Sequence, residues 1–256
     1  MILRGRGISK GVGEGEIVLD QSPVSFLGGV DPATGRLNIP SGDGASIKSR
    51  VFAFPRGKGS TVGSYVLLEM RRQGTLPAAL INASTEPIVA TGAVMAGVPL
   101  VDRIDLSLLR TGDRAVVDGN EGTVELPEVR EVHVVSCVVQ HGEELLLLKR
   151  SEKVGTFQGY WAAVSGYVEE GESSSEAACK ELREETGMEL PIAREGVPLT
   201  VRDGDNIWHI HPYLFLAGDR QVIIDWEHTE HCWVRPEEMK GFQTVPGLVE
   251  IVRDLL

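Results

Sequence analysis

An acidic segment near residue 180 places the strongest constraint on how this chain can fold. Glu181, Glu184 and Glu185 have the spacing i, i+3 and i+4, which brings them together on one face of an α-helix. Like charges at this spacing cost roughly a few tenths of a kcal/mol per pair. Such a face is usually explained by exposure to water, and the alternative is that it binds a cation.

Signals for both ends of a helix flank these glutamates. Ser173 and Glu176 form a capping-box pattern, and Gly187 is a typical stop. Ala177 and Leu182 lie between them and can face a hydrophobic core. The sequence therefore predicts an amphipathic helix between the cap and the stop, with its carboxylates on a second face.

Length and charge favour two domains, of which the second is acidic. A chain of 256 residues with 42% apolar residues is comfortable for two domains with real cores. The formal net charge is -12, and residues 129–256 carry nearly all of it. An acidic half does not follow a phosphate backbone by electrostatic attraction, so no nucleic-acid duplex is expected as a partner. Divalent cations could still bring phosphates to it.

The N-terminus and the cysteines favour a cytoplasmic protein. The stretch MILRGRGISKGVG lacks the apolar core of a signal peptide, and prolines, glycines and Glu86 interrupt the apolar region 76–101. No membrane span is therefore expected. Cys137, Cys179 and Cys232 lie far apart, which suits reduced thiols and argues against an iron–sulfur site of the chain's own.

The first half is predicted to contain mixed strands with one or two helices. Short apolar runs lie at 15–20, 49–55, 78–83 and 87–101. Residues 64–74 have a helical pattern that ends at Gly74, and residues 111–127 contain two short strand patterns around a turn. We place the boundary just after that turn region, which gives domains 1–128 and 129–256.

The second half begins with a predicted β-hairpin. Its strand patterns at 132–139 and 144–149 flank a His-Gly turn. Further strands are predicted around 207–217 and 221–225, and a helix is predicted from about Leu248 to the C-terminus. Together with the acidic helix, this pattern indicates an α/β domain.

The acidic helix belongs to a longer pattern that resembles the Nudix box. From Gly166 the chain reads GYVEEGESSSEAACKELREETGM, and the family pattern is G-x5-E-x7-R-E-U-x-E-E-x-G-U with U aliphatic. Every fixed position matches except Lys180, where the family has arginine. The resemblance implies an α/β/α sandwich and a hydrolase that uses Mg²⁺ to split a nucleoside diphosphate that is linked to another group.

The resemblance also implies roles for individual residues. Glu184 and Glu185 would bind the metal, Glu181 would be a ligand or the general base, and the carbonyl of Gly166 would complete the metal shell. Glu227 is a further candidate ligand. Hard cations such as Mg²⁺ prefer oxygen ligands, and the ion would neutralise charge that builds up on a diphosphate.

Two features bear on the activity and substrate of this half. Lys180 keeps the charge of the family arginine but not its planar fork, so a domain that binds a nucleotide or diphosphate without cleaving it stays open. Val164-Ser165-Gly166, together with Trp161, is more similar to members that act on nucleoside or pteridine triphosphates. Trp161 could stack on a base, or it could pack in the core.

The loop PRGKGSTVGSY, residues 55–65, is the second informative stretch. It is not a Walker A loop, because the pattern would need a glycine at Phe52 and a hydroxyl residue at Gly59. Glycines beside Arg56 and Lys58 ahead of a helix still describe a loop whose N–H groups could bind an anion. A generic tight turn is the alternative.

The first half as a whole resembles the small, swivelling subunit of aconitase-X-type hydro-lyases, in particular the archaeal phosphomevalonate dehydratases of isoprenoid biosynthesis through the modified mevalonate pathway. GRGISKGVGEGEIVLDQSPVSFLGGVDPATG, PRGKGSTVGSYVLLEM and ALINASTEPIVATGAVMAGVPLVD carry the resemblance. It implies a swivelling β/β/α domain and a large partner subunit that holds the iron–sulfur cluster.

In that family the small subunit supplies a serine as the catalytic base, and by position this serine is Ser60. The reaction would dehydrate (R)-5-phosphomevalonate to trans-anhydromevalonate 5-phosphate. A free hydroxyl is a very weak base and needs cationic or N–H support. The residues placed to give that support and to bind the substrate are Arg56, Gly57, Lys58, Gly59 and Thr61. Dehydration of another hydroxy acid is the alternative.

The sequence thus predicts an α/β two-domain protein, with a swivelling β/β/α domain followed by a Nudix α/β/α sandwich. Its expected ligands are small phosphorylated or diphosphate substrates. Its expected cofactors are Mg²⁺ in the second domain and an iron–sulfur cluster held only by the large partner subunit.

Overall fold

The computed structural model describes residues 1–38 and 44–256, which form two compact units. The first unit is Met1–Arg130 and the second is Glu131–Leu256. Each unit has a sheet and hydrophobic clusters of its own. Within the described ranges, no helix is both long enough and apolar enough to cross a bilayer.

The described part of the first unit contains an eight-stranded mixed sheet. Its strands are β1 (Ile2–Arg4), β2 (Arg6–Ser9), β3 (Val12–Leu19), β4 (Val51–Phe54), β5 (Ala79–Asn82), β6 (Leu100–Asp102), β7 (Arg114–Asp118) and β8 (Thr123–Glu125). Their order is β1-β8-β7-β3-β4-β5-β6-β2. Strands β3 to β6 are parallel, and the other pairings are antiparallel. The loops that leave β4 and β5 therefore lie at the same edge.

The helices of the first unit are α1 (Phe26–Gly29), α2 (Gly63–Gln73) and α3 (Pro87–Ala96), with a 3-10 turn at Leu106–Leu108. Helix α2 confirms the helical pattern predicted from residue 64 to Gly74, and Gly74 ends it in the left-handed conformation. Phe52 and Phe54 of β4 share one buried cluster with Leu67 of α2 and Val89 of α3. The apolar run at 87–101 holds both α3 and β6.

The second unit, whose residues are all described, is also built on eight strands. They are β9 (Arg130–His141), β10 (Glu144–Arg150), β11 (Trp161–Ala162), β12 (Val164–Tyr167), β13 (Ile192–Glu195), β14 (Leu199–Asp203), β15 (Asn206–Leu216) and β16 (His228–Val234). The central order is β11-β10-β9-β15-β13, with β12 paired to β9, β14 to β15 and β16 to β10.

Helices α4 (Ser174–Thr186) and α5 (Leu248–Leu255) cover the two faces of this sheet, and a 3-10 segment spans Pro236–Gly241. Side chains alternate along a strand, so neighbouring leucines of β10 enter different cores. Leu146 belongs to the cluster that contains α4, and Leu147 belongs to the cluster that contains α5. The predicted α/β/α sandwich is confirmed.

The strand predicted at 221–225 is wrong. No strand forms there, and the N–H of Ile223 donates to the carbonyl of Thr186 at the end of α4. Strand β16 follows instead and pairs with β10, where Cys232 lies opposite Leu147. The many polar residues of β16 hide its alternation in the sequence. The predicted hairpin of β9 and β10 is confirmed by the pairing of Glu144 with His141.

Ser173→Ala should destabilise the second unit by about 1 kcal/mol, or roughly a few degrees in Tm, because it removes the cap of α4. The Ser173 hydroxyl accepts from the N–H of Glu176 at 3.3 Å, and the Ser173 N–H donates to the Glu176 carboxylate at 2.9 Å. All four tryptophans lie in the second unit, so tryptophan fluorescence reports its unfolding. Cys179→Ala, at an exposed position inside α4, is the control. Equal effects of the two substitutions would argue against the cap.

Candidate functional site

Helix α4 lies directly against strand β12 at Gly166. A Cβ built on Gly166 would overlap the carboxyl group of Glu181. A glycine in a strand interior often marks the close approach of another group, and here that group is a carboxylate. Two of the positions predicted to hold a metal, Gly166 and Glu181, are therefore in direct contact, and a larger residue at 166 would require the Glu181 carboxyl group to shift.

Glu185 is the most deeply buried of the predicted acidic residues, with 3% of its surface exposed. Its Oε2 lies 3.6 Å from the Nε2 of His228, and neither atom has a hydrogen-bond partner among the described residues. The other ring nitrogen of His228 lies 3.0 Å from Asp225 Oδ1. Burial, with the nearby charge of Glu181, raises the pKa of Glu185 well above its usual value, although the N–H of Ser165 opposes the rise.

Glu181 is half-buried between α4 and β12. Burial raises the pKa of Glu181 to about 7. The charge of Lys180 opposes this rise, and the carboxylates of Glu184 and Glu227 add to it. Glu184 itself is exposed. The three glutamates of the i, i+3, i+4 pattern thus occupy three different environments.

A cavity of about 480 Å³ opens beside these carboxylates in the second unit. Its lining includes three predicted site residues, namely Gly166, Glu181 and Glu227. The turn before β16 positions Glu227, whose N–H donates to Asp225 Oδ1 at 3.0 Å and whose carbonyl accepts from the N–H of Ser151. We call Glu181, Glu184, Glu185 and Glu227 the acidic edge. It lies beside a cavity of the size that small-molecule sites have.

The cavity also contains aromatic and cationic residues that the sequence reasoning missed. Trp208 of β15 and Tyr167 of β12 line it, with ring centroids 6.3 Å apart. Arg150 lines it as well and donates to the Ser165 hydroxyl at 3.3 Å. Tyr167 directly follows Gly166 in the motif, and this position could have indicated that it lies near the site. Arg150 and Trp208 enter from other strands, and no local pattern marks them.

Trp161, the predicted stacking residue, does not belong to the residues that line this cavity. Its ring packs edge-to-face with Phe242 at 5.2 Å, and Lys149 Nζ lies 5.8 Å from the ring centroid. Its neighbours belong to the cluster that contains α5. Core packing, the alternative interpretation of Trp161, describes its position.

Lys180, which replaces the family arginine, points to the acidic loop that precedes α4. Its Nζ donates to Glu169 Oε1 at 2.9 Å and lies 4.0 Å from Glu172 Oε1. The Glu169 bond comes first among the causes that raise the pKa of Lys180. The lysine therefore holds the loop residue Glu169, which lines the cavity, instead of a catalytic glutamate.

The electrostatics of the acidic edge fit a divalent cation. Glu185 has a buried oxygen with no hydrogen-bond partner among the described residues, and the pKa values of Glu185 and Glu181 are raised. Charged carboxylates in such a place lack the donors that would stabilise them. Oxygen ligands of this kind are those that Mg²⁺ prefers. A cation would supply the missing positive charge.

The loop predicted to act in dehydration joins β4 to α2 in the first unit. A Cβ built on Gly57 would overlap the carboxylate of Glu86, which caps α3 by accepting from the N–H groups of Ile88 and Val89. Gly59 has φ 103°, a conformation that favours glycine. These two glycines let the loop fold back against the start of α3.

The loop presents its polar side chains to solvent. Ser60, Arg56 and Lys58 are exposed, and the Ser60 hydroxyl accepts from the N–H of Val62 at 3.3 Å. The N–H of Lys58 donates to the carbonyl of Val24. The N–H of Lys58 is thus used to hold the loop, and the basic side chains stay exposed on it.

Comparisons with known proteins match a different family to each half of the chain. The family model described as the aconitase X swivel domain matches residues 2–126, and the NUDIX domain model matches residues 129–255. The phosphomevalonate dehydratase small subunit of Pyrococcus furiosus is 54% identical over 128 residues, which are 49% of this chain and 96% of that protein.

Two solved structures match one half each. Aconitase X of Thermococcus kodakaraensis, in its holo-form, is 46% identical and matches 50% of this chain and 99% of its own, with a TM-score of 0.49. A MutT protein of Methanosarcina mazei is 26% identical and matches 49% of this chain and 93% of its own, with a TM-score of 0.43.

The chain therefore contains a swivel domain of the aconitase X type followed by a NUDIX domain. Through its first half it belongs to the family of phosphomevalonate dehydratase small subunits.

In metal-free buffer, raising the pH from about 5 to about 8 should lower the Tm of the second unit more in the parent protein than in Glu181→Gln. Burial raises the pKa of folded Glu181 to about 7 from the ordinary value of 4.5, so the folded state binds more protons in this window. Rising pH then favours unfolding. Tryptophan fluorescence melts at several pH values measure the slope, and Glu189→Gln, at an exposed site, should keep it. An unchanged slope in Glu181→Gln would contradict the buried carboxylate.

Proposed function

We propose that this chain is the small subunit of a phosphomevalonate dehydratase that also carries a Mg²⁺-dependent diphosphate hydrolase. The observation that supports the dehydratase part is the 54% identity to such a subunit across 96% of its length. The hydrolase part is supported by the acidic edge beside the cavity of the second unit.

In dehydration, the alkoxide of Ser60 would accept the proton from the substrate carbon beside the carboxylate, and the carbon–oxygen bond would break so that the hydroxyl group leaves as hydroxide. The hydroxide would take up one proton to become water, and loss of the proton gained by Ser60 would restore the alkoxide. A serine becomes a base only where its negative charge is stabilised. Arg56 and Lys58 are exposed on the same loop and can supply positive charge, both for the serine and for the phosphate of the substrate. The loop fold against α3 holds these groups together.

A large partner subunit would supply the iron–sulfur cluster. Cys137, Cys179 and Cys232 are free, and all three lie in the second unit. The first unit thus brings no thiolate to its own serine loop. We expect the chain alone to have no dehydratase activity, and the complete activity to require both subunits.

In hydrolysis, Glu181, Glu184, Glu185 and Glu227, with the carbonyl of Gly166, would hold Mg²⁺. The ion would neutralise charge on the diphosphate and lower the pKa of water. Arg150 can pair with a phosphate, and Trp208 and Tyr167 offer aromatic surface to the rest of the substrate. Glu181 would either bind the ion or accept the proton of the attacking water as the general base.

Ser60→Ala should reduce dehydration in the assembled complex by roughly 10²- to 10⁴-fold, the usual contribution of a general base. Hydrolysis should stay unchanged, because the acidic edge belongs to the other unit. The assay is phosphomevalonate dehydration by the chain co-purified with an aconitase-X-type large subunit. Ser22→Ala, in the same unit, is the control. Equal loss of both activities would indicate misfolding or one shared site, against the proposal.

Glu184→Gln should reduce Mg²⁺-dependent hydrolysis by about 100-fold or more, because each 1.36 kcal/mol of lost transition-state stabilisation costs a factor of ten. It should leave dehydration intact. Without metal the variant should be as stable as the parent or slightly more so, since a like charge is removed. A phosphate-release screen over nucleoside and isoprenoid diphosphates measures activity, with Glu189→Gln as the control. Parental activity in Glu184→Gln would contradict the role of this residue, and binding without turnover in the parent would favour a sensing domain.

A further inference from the structure

Three histidines and a glutamate meet on the sheet of the second unit, away from the acidic edge. Glu131 and His133 lie at the beginning of β9, and His209 and His211 lie on β15. His133 Nδ1 is 3.2 Å from His211 Nε2, and His209 Nε2 is 3.9 Å from Glu131 Oε2. One ligand atom each of Glu131, His133 and His209 lies within 4.8 Å of the others.

This cluster faces the opposite side of β15 from the cavity. Trp208 and Ile210 line the cavity, so the alternation of side chains directs His209 and His211 to the other face. Tyr213 continues that face and packs in the cluster that contains α4. None of the three histidines lines the cavity, although this face of the sheet is the one that α4 covers.

Hydrogen bonding within the protein accounts for the pairing of His133 with His211, but not for the position of His209 beside Glu131. His209 Nε2 is buried and has no hydrogen-bond partner among the described residues, while its Nδ1 lies 3.3 Å from the Thr200 hydroxyl. The rings of His133 and His209 stack with centroids 4.6 Å apart. An unpartnered imidazole nitrogen thus lies where a second imidazole and a carboxylate converge.

We propose that Glu131, His133 and His209, with His211 hydrogen-bonded to His133 beside them, form a binding site for a divalent transition-metal ion such as Zn²⁺. Zn²⁺ binds histidine nitrogens at about 2.0–2.1 Å in tetrahedral geometry, which separates neighbouring ligand atoms by roughly 3.4 Å. The distance of 3.9 Å between His209 Nε2 and Glu131 Oε2 is close to this value. Imidazole suits Zn²⁺, Cu²⁺ and Ni²⁺, whereas Mg²⁺ prefers oxygen, so the two sites of this unit select different ions.

The protonation of the cluster agrees with a metal site. Burial, with the neighbouring charge of His133, lowers the pKa values of His209 and His211. Neutral imidazole is the form that binds metals. A bound ion would join the beginning of β9 to β15, and it would therefore stabilise the second unit without touching the cavity.

The test is a Zn²⁺ titration of the metal-stripped full chain in excess Mg²⁺, which occupies the acidic edge. We expect one Zn²⁺ per chain and a rise in the Tm of the second unit. The double variant His133→Asn, His209→Asn should weaken Zn²⁺ binding by about 100-fold or more, since loss of outer partners alone costs about 10- to 100-fold. His231→Asn, an exposed histidine on β16, and Glu184→Gln should bind as the parent does.

A second measurement keeps the test independent of stability. The visible spectrum of bound Co²⁺ distinguishes tetrahedral imidazole ligation from six oxygen ligands, and the single variant His133→Gln, at an exposed position, should change it. Zn²⁺ affinity that is equal in the parent and the histidine variants would overturn the proposal. So would Zn²⁺ binding that Glu184→Gln abolishes, because the ion would then lie at the acidic edge.

Discussion

The buried carboxylate of Glu185 is the interaction on which the second unit depends. It lies between α4 and the sheet, beside His228 and near Glu181, with one oxygen that no described residue satisfies. An isolated buried charge is costly, so the group takes up a proton unless positive charge is supplied. The contact of Gly166 with Glu181 crowds a second carboxylate into the same place. The raised pKa values of Glu181 and Glu185 favour protons at this place in the metal-free protein, and a cation is the group that we propose for it.

The sequence was sufficient for the frame of this unit but not for the environment of each glutamate. Capping residues and the glycine stop predicted α4, because helix ends follow local rules. Glu184 and Glu185 are adjacent in sequence, yet one is exposed and the other buried, and this difference depends on where the sheet lies. Trp208 lines the cavity because β15 passes there, and nothing next to it in the sequence indicates that.

The same contrast holds for the first unit. The position of Ser60 in a loop ahead of α2 followed from glycine spacing and from a helical pattern. That Gly57 lies against Glu86 could not be predicted, because the contact joins the loops after two parallel strands. Each unit has its own hydrophobic core, and the acidic charge is concentrated in the second half. The residues that we propose for the two reactions thus lie in separate units, each with a hydrophobic core of its own.

A carboxyl titration of Glu181 tests the central claim most directly. Carbon-13 NMR of selectively labelled protein follows this carboxyl group across pH with and without Mg²⁺. Without metal the midpoint should lie near pH 7, because burial raises the pKa of Glu181 to about 7. Saturating Mg²⁺ should shift the midpoint to lower pH, since the cation favours the charged form. A midpoint close to the ordinary glutamate pKa of 4.5 without metal, or one that Mg²⁺ does not move, would contradict the account.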